Sequence, residues 1–273
     1  MSHNKTQQLK SSAHQQAHKA SRHPALIYMA RAGFVVSGLL HIMIGWIALK
    51  IALGTGGGEA SNSGALSQIA HTPGGQILLW VMAIALLGLG LWRLLEIFVA
   101  SEAKDKAKSG AVGVVFMSLV FTTFTFARGG SSSDGQKTTS ITAQVLQWPG
   151  GKTLIVIAGL VVIGVGIYGV VKGATRKFTK DLEAGAGAGQ VGSAITVAGT
   201  AGYIARGIAF LVLGSLIIWG ALTSDPQKAS GLDSALRTIG EQPFGVVLLV
   251  LTAIGFALYG IYSMARAKYT NEI

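Results

Sequence analysis

Chemistry inside a bilayer starts from an ionisable side chain at depth, and two residues of this chain stand in that position. His41 lies near the middle of one apolar run and Arg206 lies inside another. A histidine there could relay protons or hold a metal, and an arginine could hold an anion; each marks a functional site by default. His41 has no acidic partner in its run, and the internal repeat described below puts Phe116 and Phe210 at its position. Relays need chains of polar groups, so an interior ring with one hydrogen bond is the simpler reading. Arg206 adjoins Gly207 about a turn deeper than Arg31, which places it to face protein. Arg31, Arg93, Glu96, Lys172 and Arg266 ring the same ends of the apolar runs. Arg93 and Glu96 share a helix face at i,i+3. A gate or anion site would use such a ring, but snorkelling to the headgroups requires less.

Other chemistries find no residues. There is no cysteine, which removes disulfides, thiolate metal sites and cysteine nucleophiles. His14 and His18 have an i,i+4 spacing with His3 and His23 nearby, a pattern that polar tails acquire by chance. Gly185 to Gly192 lacks the Lys-Ser/Thr ending of a phosphate loop and follows no strand. Glu59, Asp134, Asp225, Asp233 and Glu241 are isolated, apart from an i,i+4 pairing of Asp233 with Arg237. No Ser/His/Asp set converges. The expectation is a non-enzyme without metal or cofactor.

The elements that must position His41 and Arg206 are membrane spans. Only 12% of the 273 residues are charged while 50% are hydrophobic, about half the charge of a soluble domain. Apolar runs at 28–53, 76–98, 112–127, 154–171, 203–222 and 244–264 have about the 20-residue length that crosses hydrocarbon. The third is short and carries Thr122, Thr123 and Thr125. Trp46, Trp80, Trp148 and Trp219 gather at one set of ends, and Trp92, Tyr168 and Tyr262 near the other. Two aromatic belts are expected.

The net charge of +11 is distributed by side rather than along a nucleic-acid face. With the N-terminus inside, sixteen Lys/Arg fall on cytoplasmic ends and loops and six on the opposite side, the positive-inside pattern. Both termini are then cytoplasmic, and the charge faces anionic lipid headgroups. No cleavable signal is evident in 1–24, so the first span serves as the insertion signal.

A hairpin is written three times. Gly33, Gly38, Gly45, Gly64-Ala65-Leu66, Pro73, Gly75 and Gly90 recur as Gly202, Gly207, Gly214, Ser234-Ala235-Leu236, Pro243, Gly245 and Gly260. The offset is 169 for the first three glycines and 170 thereafter. The middle copy keeps Gly113, Pro149, Gly151 and Gly166 but lacks counterparts of Gly33 and Gly45, so pseudo-symmetric packing is least secure there. Fixed-period similarity defines the architecture. It is an all-α integral membrane protein, with six transmembrane helices as three parallel pseudo-repeated helical hairpins about an axis along the membrane normal. Its parts are a disordered polar tail (1–24), hairpins at 25–100, 110–173 and 200–267, and a cytoplasmic linker at 174–199 that includes a flexible Gly/Ala run, 183–192. Ser101 to Ser109 is a charged connector. Leu66 and Ile69, Val145 and Leu146, and Leu236 and Ile239 suggest short amphipathic helices lying in the interface. The glycines Gly33, Gly38, Gly45, Gly202, Gly207 and Gly214 are expected to pack helices closely.

Ala30-Arg31-x-Gly33, Ser63-Gly64-Ala65-Leu66 and Pro73-Gly74-Gly75, with Ala205-Arg206-Gly207, Gly231 to Arg237 and Pro243-Phe244-Gly245, carry a resemblance. Over residues 28–267 the chain resembles the three-repeat bacterial membrane family catalogued as domain of unknown function 1206. The resemblance implies six helices in a bacterial plasma membrane and no assigned activity. Two functions remain: a structural, accessory or lipid-interacting component with a membrane-protein partner or as a homo-oligomer, or a small-molecule or ion permease along the pseudo-threefold axis. Few polar side chains lie at mid-membrane, which favours the first.

Overall fold

In the computed structural model, the described residues are 23–99, 102–182 and 189–270. The polar tail, with His3, His14 and His18, and residues 183–188 of the Gly/Ala run lie outside them. Among the described residues the chain is helical, with one isolated antiparallel bridge between Leu182 and Thr270. Six long helices are α1 (Pro24–Ala52), α3 (Gly75–Val99), α4 (Ala103–Ala127), α6 (Gly151–Ala174), α7 (Gly189–Thr223) and α9 (Gly245–Tyr269). All six are long and apolar enough to cross a membrane. Three short helices, α2 (Asn62–Ala70), α5 (Asp134–Leu146) and α8 (Leu232–Gly240), close the loops at one end of the bundle. That is the cap end; the other, with Arg93, Lys172 and Arg266, is the basic end.

Each cap-to-span turn is built alike. Gly74 and Gly150 hold left-handed backbone at φ 76° and 78°, and Phe244 holds it at φ 60° in the third copy. The glycines that follow, Gly75, Gly151 and Gly245, lie against the backbone carbonyls of Ile69, Val145 and Gly240, where no Cβ would fit.

The long helices form a ring whose widest contacts join different repeats: α1 with α9, α4 with α3, and α7 with α6. Repeat-equivalent small residues make these seams. A Cβ on Gly38 would meet the Gly260 carbonyl at 2.5 Å, and one on Gly260 would meet that of Gly38 at 2.5 Å. Gly207 and Gly166 approach in the same reciprocal way, at 2.7 and 2.8 Å. In the α4·α3 seam, Gly113 abuts Leu94 and Gly90 abuts Met117. Gly45 lies on the Ala253 carbonyl, and Gly214 on that of Gly159. In lipid, such close backbone packing is what holds helices together.

Inside a repeat the contact is smaller and depends on another glycine. Gly33 of α1 fits against Leu89 and Ala85 of α3, and Gly202 of α7 against Tyr259 of α9. The middle repeat has Lys108 at this position, and α4 and α6 share no comparable interface. Gly88 of α3 abuts Met29, whereas its counterpart Gly164 of α6 has nothing within 4 Å. The ring is therefore breached between α4 and α6.

Several sequence expectations change. Two of the short helices do not rest their apolar faces in the interface: Ala65, Leu66 and Ile69 of α2 and Leu236 and Ile239 of α8 are buried in the protein core beside Leu40, Ile44, Leu79, Leu86 and Phe256, whereas Val145 and Leu146 of α5 are half-buried. The inner belt fails for Trp92 and Tyr262, which are buried, while Tyr168 is 56% exposed. The outer tryptophans Trp46, Trp80, Trp148 and Trp219 are all exposed. The charged connector becomes helical at Ala103, and the linker is not flexible from Gly189 onward, where α7 begins. Gly199 explains the latter. Its missing Cβ admits the Phe178 ring, so Phe178, Leu182, Ile195 and Ala198 pack with Tyr203, Tyr259 and Tyr262.

Candidate functional site: a polar recess in the basic half

The structure brings His41 and Arg206 onto one side chain. Tyr259 of α9 accepts a hydrogen bond at its hydroxyl from Arg206 Nη1, 2.8 Å away, and its ring lies 4.7 Å from the His41 ring. The guanidinium sits over the rings of Tyr259 and Phe210, at 4.9 and 5.0 Å, a cation–π arrangement that partly replaces its hydration. His41 also stacks on Phe256. Its Nδ1 lies 2.7 Å from the Ser37 carbonyl; a carbonyl only accepts, so Nδ1 donates.

Position on α7 gives Arg206 its direction. Val197, Ile208, Trp219 and Leu222 are exposed on the outward side of α7. At 100° per residue Arg206 lies on the opposite side, toward the ring interior. It is only partly buried, and no carboxylate among the described residues lies within ion-pair distance of it.

The breach exposes this interior. Val165 of α6 is 48% exposed, while its repeat equivalents Leu89 and Tyr259 are 0% and 7% exposed. Toward the cap end the same interior is shut: Leu40, Ile44, Leu86 and Phe256 are almost wholly buried, with Phe126 and Ala127 of α4. Packed apolar side chains therefore lie between these polar groups and the cap end. The threonines of α4 do not extend the recess. Thr122, Thr123 and Thr125 each donate to the carbonyl four residues earlier, at 3.1, 2.8 and 3.0 Å, the back-bonding that satisfies a hydroxyl within its own helix.

The other charged residues at the basic end occupy the seams. Arg266 lies over Phe34 at 4.4 Å, Lys172 over Tyr203 at 5.1 Å, and Ser109 donates to Glu96 at 2.8 Å. These are repeat-equivalent contacts, one in each inter-repeat seam. Arg93 bonds Glu96 at 3.0 Å, and Lys172 pairs with Asp181. Arg93, Lys172 and Arg266 are buried, so they do not snorkel; the aromatic rings and acids beside them supply what headgroups would have supplied. Arg206 differs in facing the recess without an acid.

Sequence reasoning missed Tyr259, the residue that joins the two polar groups. Its signal was a departure from the repeat, tyrosine where the first copy has Leu89 and the second Val165. It also missed the acids of the cap. Asp134 accepts from Ser63 N and Oγ, Glu59 from Gly135 N, and Asp233 from Ala60 N and from Arg237 at 2.7 Å. Carboxylates at helix N-termini thus tie the three caps together. Glu59 and Asp233 border a polar cup of about 450 Å³. Among the described residues no group of three His, Cys, Asp or Glu could hold a metal.

Known proteins share the whole pattern. The model of the family described as Domain of Unknown Function (DUF1206) matches three times, at residues 32–98, 107–176 and 201–270. A relative from Bacillus subtilis (strain 168), the uncharacterized protein YxxB, is 30% identical over 263 residues, covering 93% of this chain and 94% of its own length. No solved structure matches. The three matches coincide with the three hairpins of the ring, and the chain belongs to the DUF1206 family.

Proposed function

We propose that this protein is a non-catalytic, lipid-interacting accessory component of the bacterial plasma membrane, with both termini and the basic end in the cytoplasm. One observation carries this reading: packed apolar side chains close the interior on the cap side of the polar groups. A permease needs a path through the bilayer, and here Leu40, Ile44, Leu86 and Phe256 fill the interior above His41. Residues that could have made a path are satisfied locally, His41 by Ser37 and the α4 threonines by their own helix. The breach presents apolar side chains to the hydrocarbon, as expected of a surface that meets acyl chains or a partner helix. The basic end suits anionic headgroups.

Flux through reconstituted vesicles tests it. Proteoliposomes loaded with a pH-sensitive dye and given an imposed gradient should leak no faster than empty ones, with the natural protein and with His41→Phe alike. The substitution restores the ring found at Phe116 and Phe210 and keeps the fold. Proton flux present in the natural protein and lost in His41→Phe would make the protein a conductor and overturn the accessory reading.

A further inference from the structure

We infer that the breach between α4 and α6 is a binding site for one anionic phospholipid of the inner leaflet, its phosphate held by Arg206 and an acyl chain lying along α6. The inference rests on the lipid-interacting reading above and names the ligand.

Charge argues for the headgroup. Arg206 presents a planar fork of donors, the geometry that grips phosphate bidentately. Tyr259 takes one N–H at 2.8 Å, and no acid among the described residues takes the others.

Depth fits an inner-leaflet lipid. Arg206 lies thirteen residues before Trp219, about 20 Å along a helix that rises 1.5 Å per residue. If Trp219 marks the outer edge of a hydrocarbon layer about 30 Å thick, the α-carbon lies about 10 Å inside the inner edge. Helical Cα–Cβ bonds tilt toward the N-terminus, here the basic end, and Tyr259 and the Phe210 ring hold the guanidinium at this depth. A phosphate drawn slightly inward would meet it.

Shape argues for the chain. Val161 and Val165 of α6 are exposed at positions whose equivalents in α3 are buried by α1, and Gly164 faces open space. The missing contact between α4 and α6 leaves this apolar face of α6 open to the bilayer, and α6 packs directly on α7, the helix that carries the arginine. The opening is lateral, so a lipid enters from the bilayer without crossing water. A soluble anion would have to reach the same arginine past the apolar rim.

Retention of lipid by the full-length protein tests this. Detergent-purified protein is mixed with phosphatidylglycerol or phosphatidylcholine, and bound lipid is counted by native mass spectrometry alongside thermal melting. The natural protein should retain one phosphatidylglycerol in preference to phosphatidylcholine and melt higher with it. Arg206→Gln should bind phosphatidylglycerol about tenfold more weakly and lose the headgroup preference, the loss of one charge-assisted contact. Arg206→Lys should keep the preference. Val165→Trp, on an exposed position that does not touch Arg206, should crowd that face and weaken both lipids. Unchanged phosphatidylglycerol preference in Arg206→Gln, or unchanged binding in Val165→Trp, would overturn the proposal. Stabilisation by inorganic phosphate alone, equal to that by phosphatidylglycerol, would identify a free-anion site and overturn it too. The accessory reading stands or falls separately, on the flux measurement.

Discussion

At the scale of single residues, the three copies differ where one of them has acquired polarity or strain. Arg206 and Tyr259 stand where the first repeat has Ser37 and Leu89, and together they convert a packed seam into a polar recess. The seam glycines around them are unchanged, so the fold tolerates the departure. Phe244 is a different kind of departure. It holds φ 60° at a turn where the other copies have Gly74 and Gly150, and its side chain is 87% exposed. A side chain in left-handed backbone costs about 1–2 kcal/mol, and an exposed ring recovers little of that from protein contacts. Phe244→Gly should therefore raise the thermal midpoint in detergent, by the equivalent of about 1 kcal/mol. Phe244→Ala, which removes the ring and keeps the strain, should not. Equal midpoints for both variants would mean that the turn is unstrained as built and that the ring alone matters.

At the scale of helices, the fold follows one rule: the first helix of each repeat packs on the second helix of the preceding one, through paired small residues. The hairpins are adjacent in sequence but are not the main packing units. Gly207→Leu drives a side chain into the Gly166 carbonyl and Val170, and overpacking of this kind costs about 1–3 kcal/mol or more. Gly164→Leu enters open space and should be neutral or slightly stabilising, because leucine is the better helix former by up to about 1 kcal/mol. Melting curves of the two variants in one detergent compare a seam with the breach directly. A Gly164→Leu loss as large as that of Gly207→Leu would mean that α4 and α6 pack after all. Much of this was legible in the sequence. The spans follow from the apolar runs, the repeats and the weak middle copy follow from glycine spacing, and the absence of a Gly33 counterpart falls in the helix pair that fails to close. The partners of those glycines were not legible, because a small residue shows that something approaches and not what. For the same reason the Gly/Ala run suggested flexibility as far as residue 192, although α7 begins at Gly189 and, further along it, Gly199 admits Phe178.

At the scale of the whole molecule, an even number of spans puts both ends on one side, and three parallel hairpins put all three caps together on the other. The contacts among Glu59, Asp134, Asp233 and their backbone donors need that arrangement, since no inverted repeat could bring α2, α5 and α8 to one end. The proposed orientation rests on charge: sixteen Lys/Arg against six is the imbalance that positive-inside sorting acts on. Because the chain has no cysteine, single cysteines report topology without a background. Thr55, Gln136 and Gln227 are exposed positions in the three cap loops, and Asp105 and Lys177 are exposed at the basic end. In intact cells a membrane-impermeant maleimide should label Thr55→Cys, Gln136→Cys and Gln227→Cys, and should spare Asp105→Cys and Lys177→Cys until the membrane is permeabilised. The reverse pattern would keep the fold and invert its orientation, moving the recess to the outer leaflet. Labelling of Gln136→Cys on the side opposite to Thr55→Cys would break the parallel arrangement itself, since the two loops share hydrogen bonds that cannot cross a bilayer.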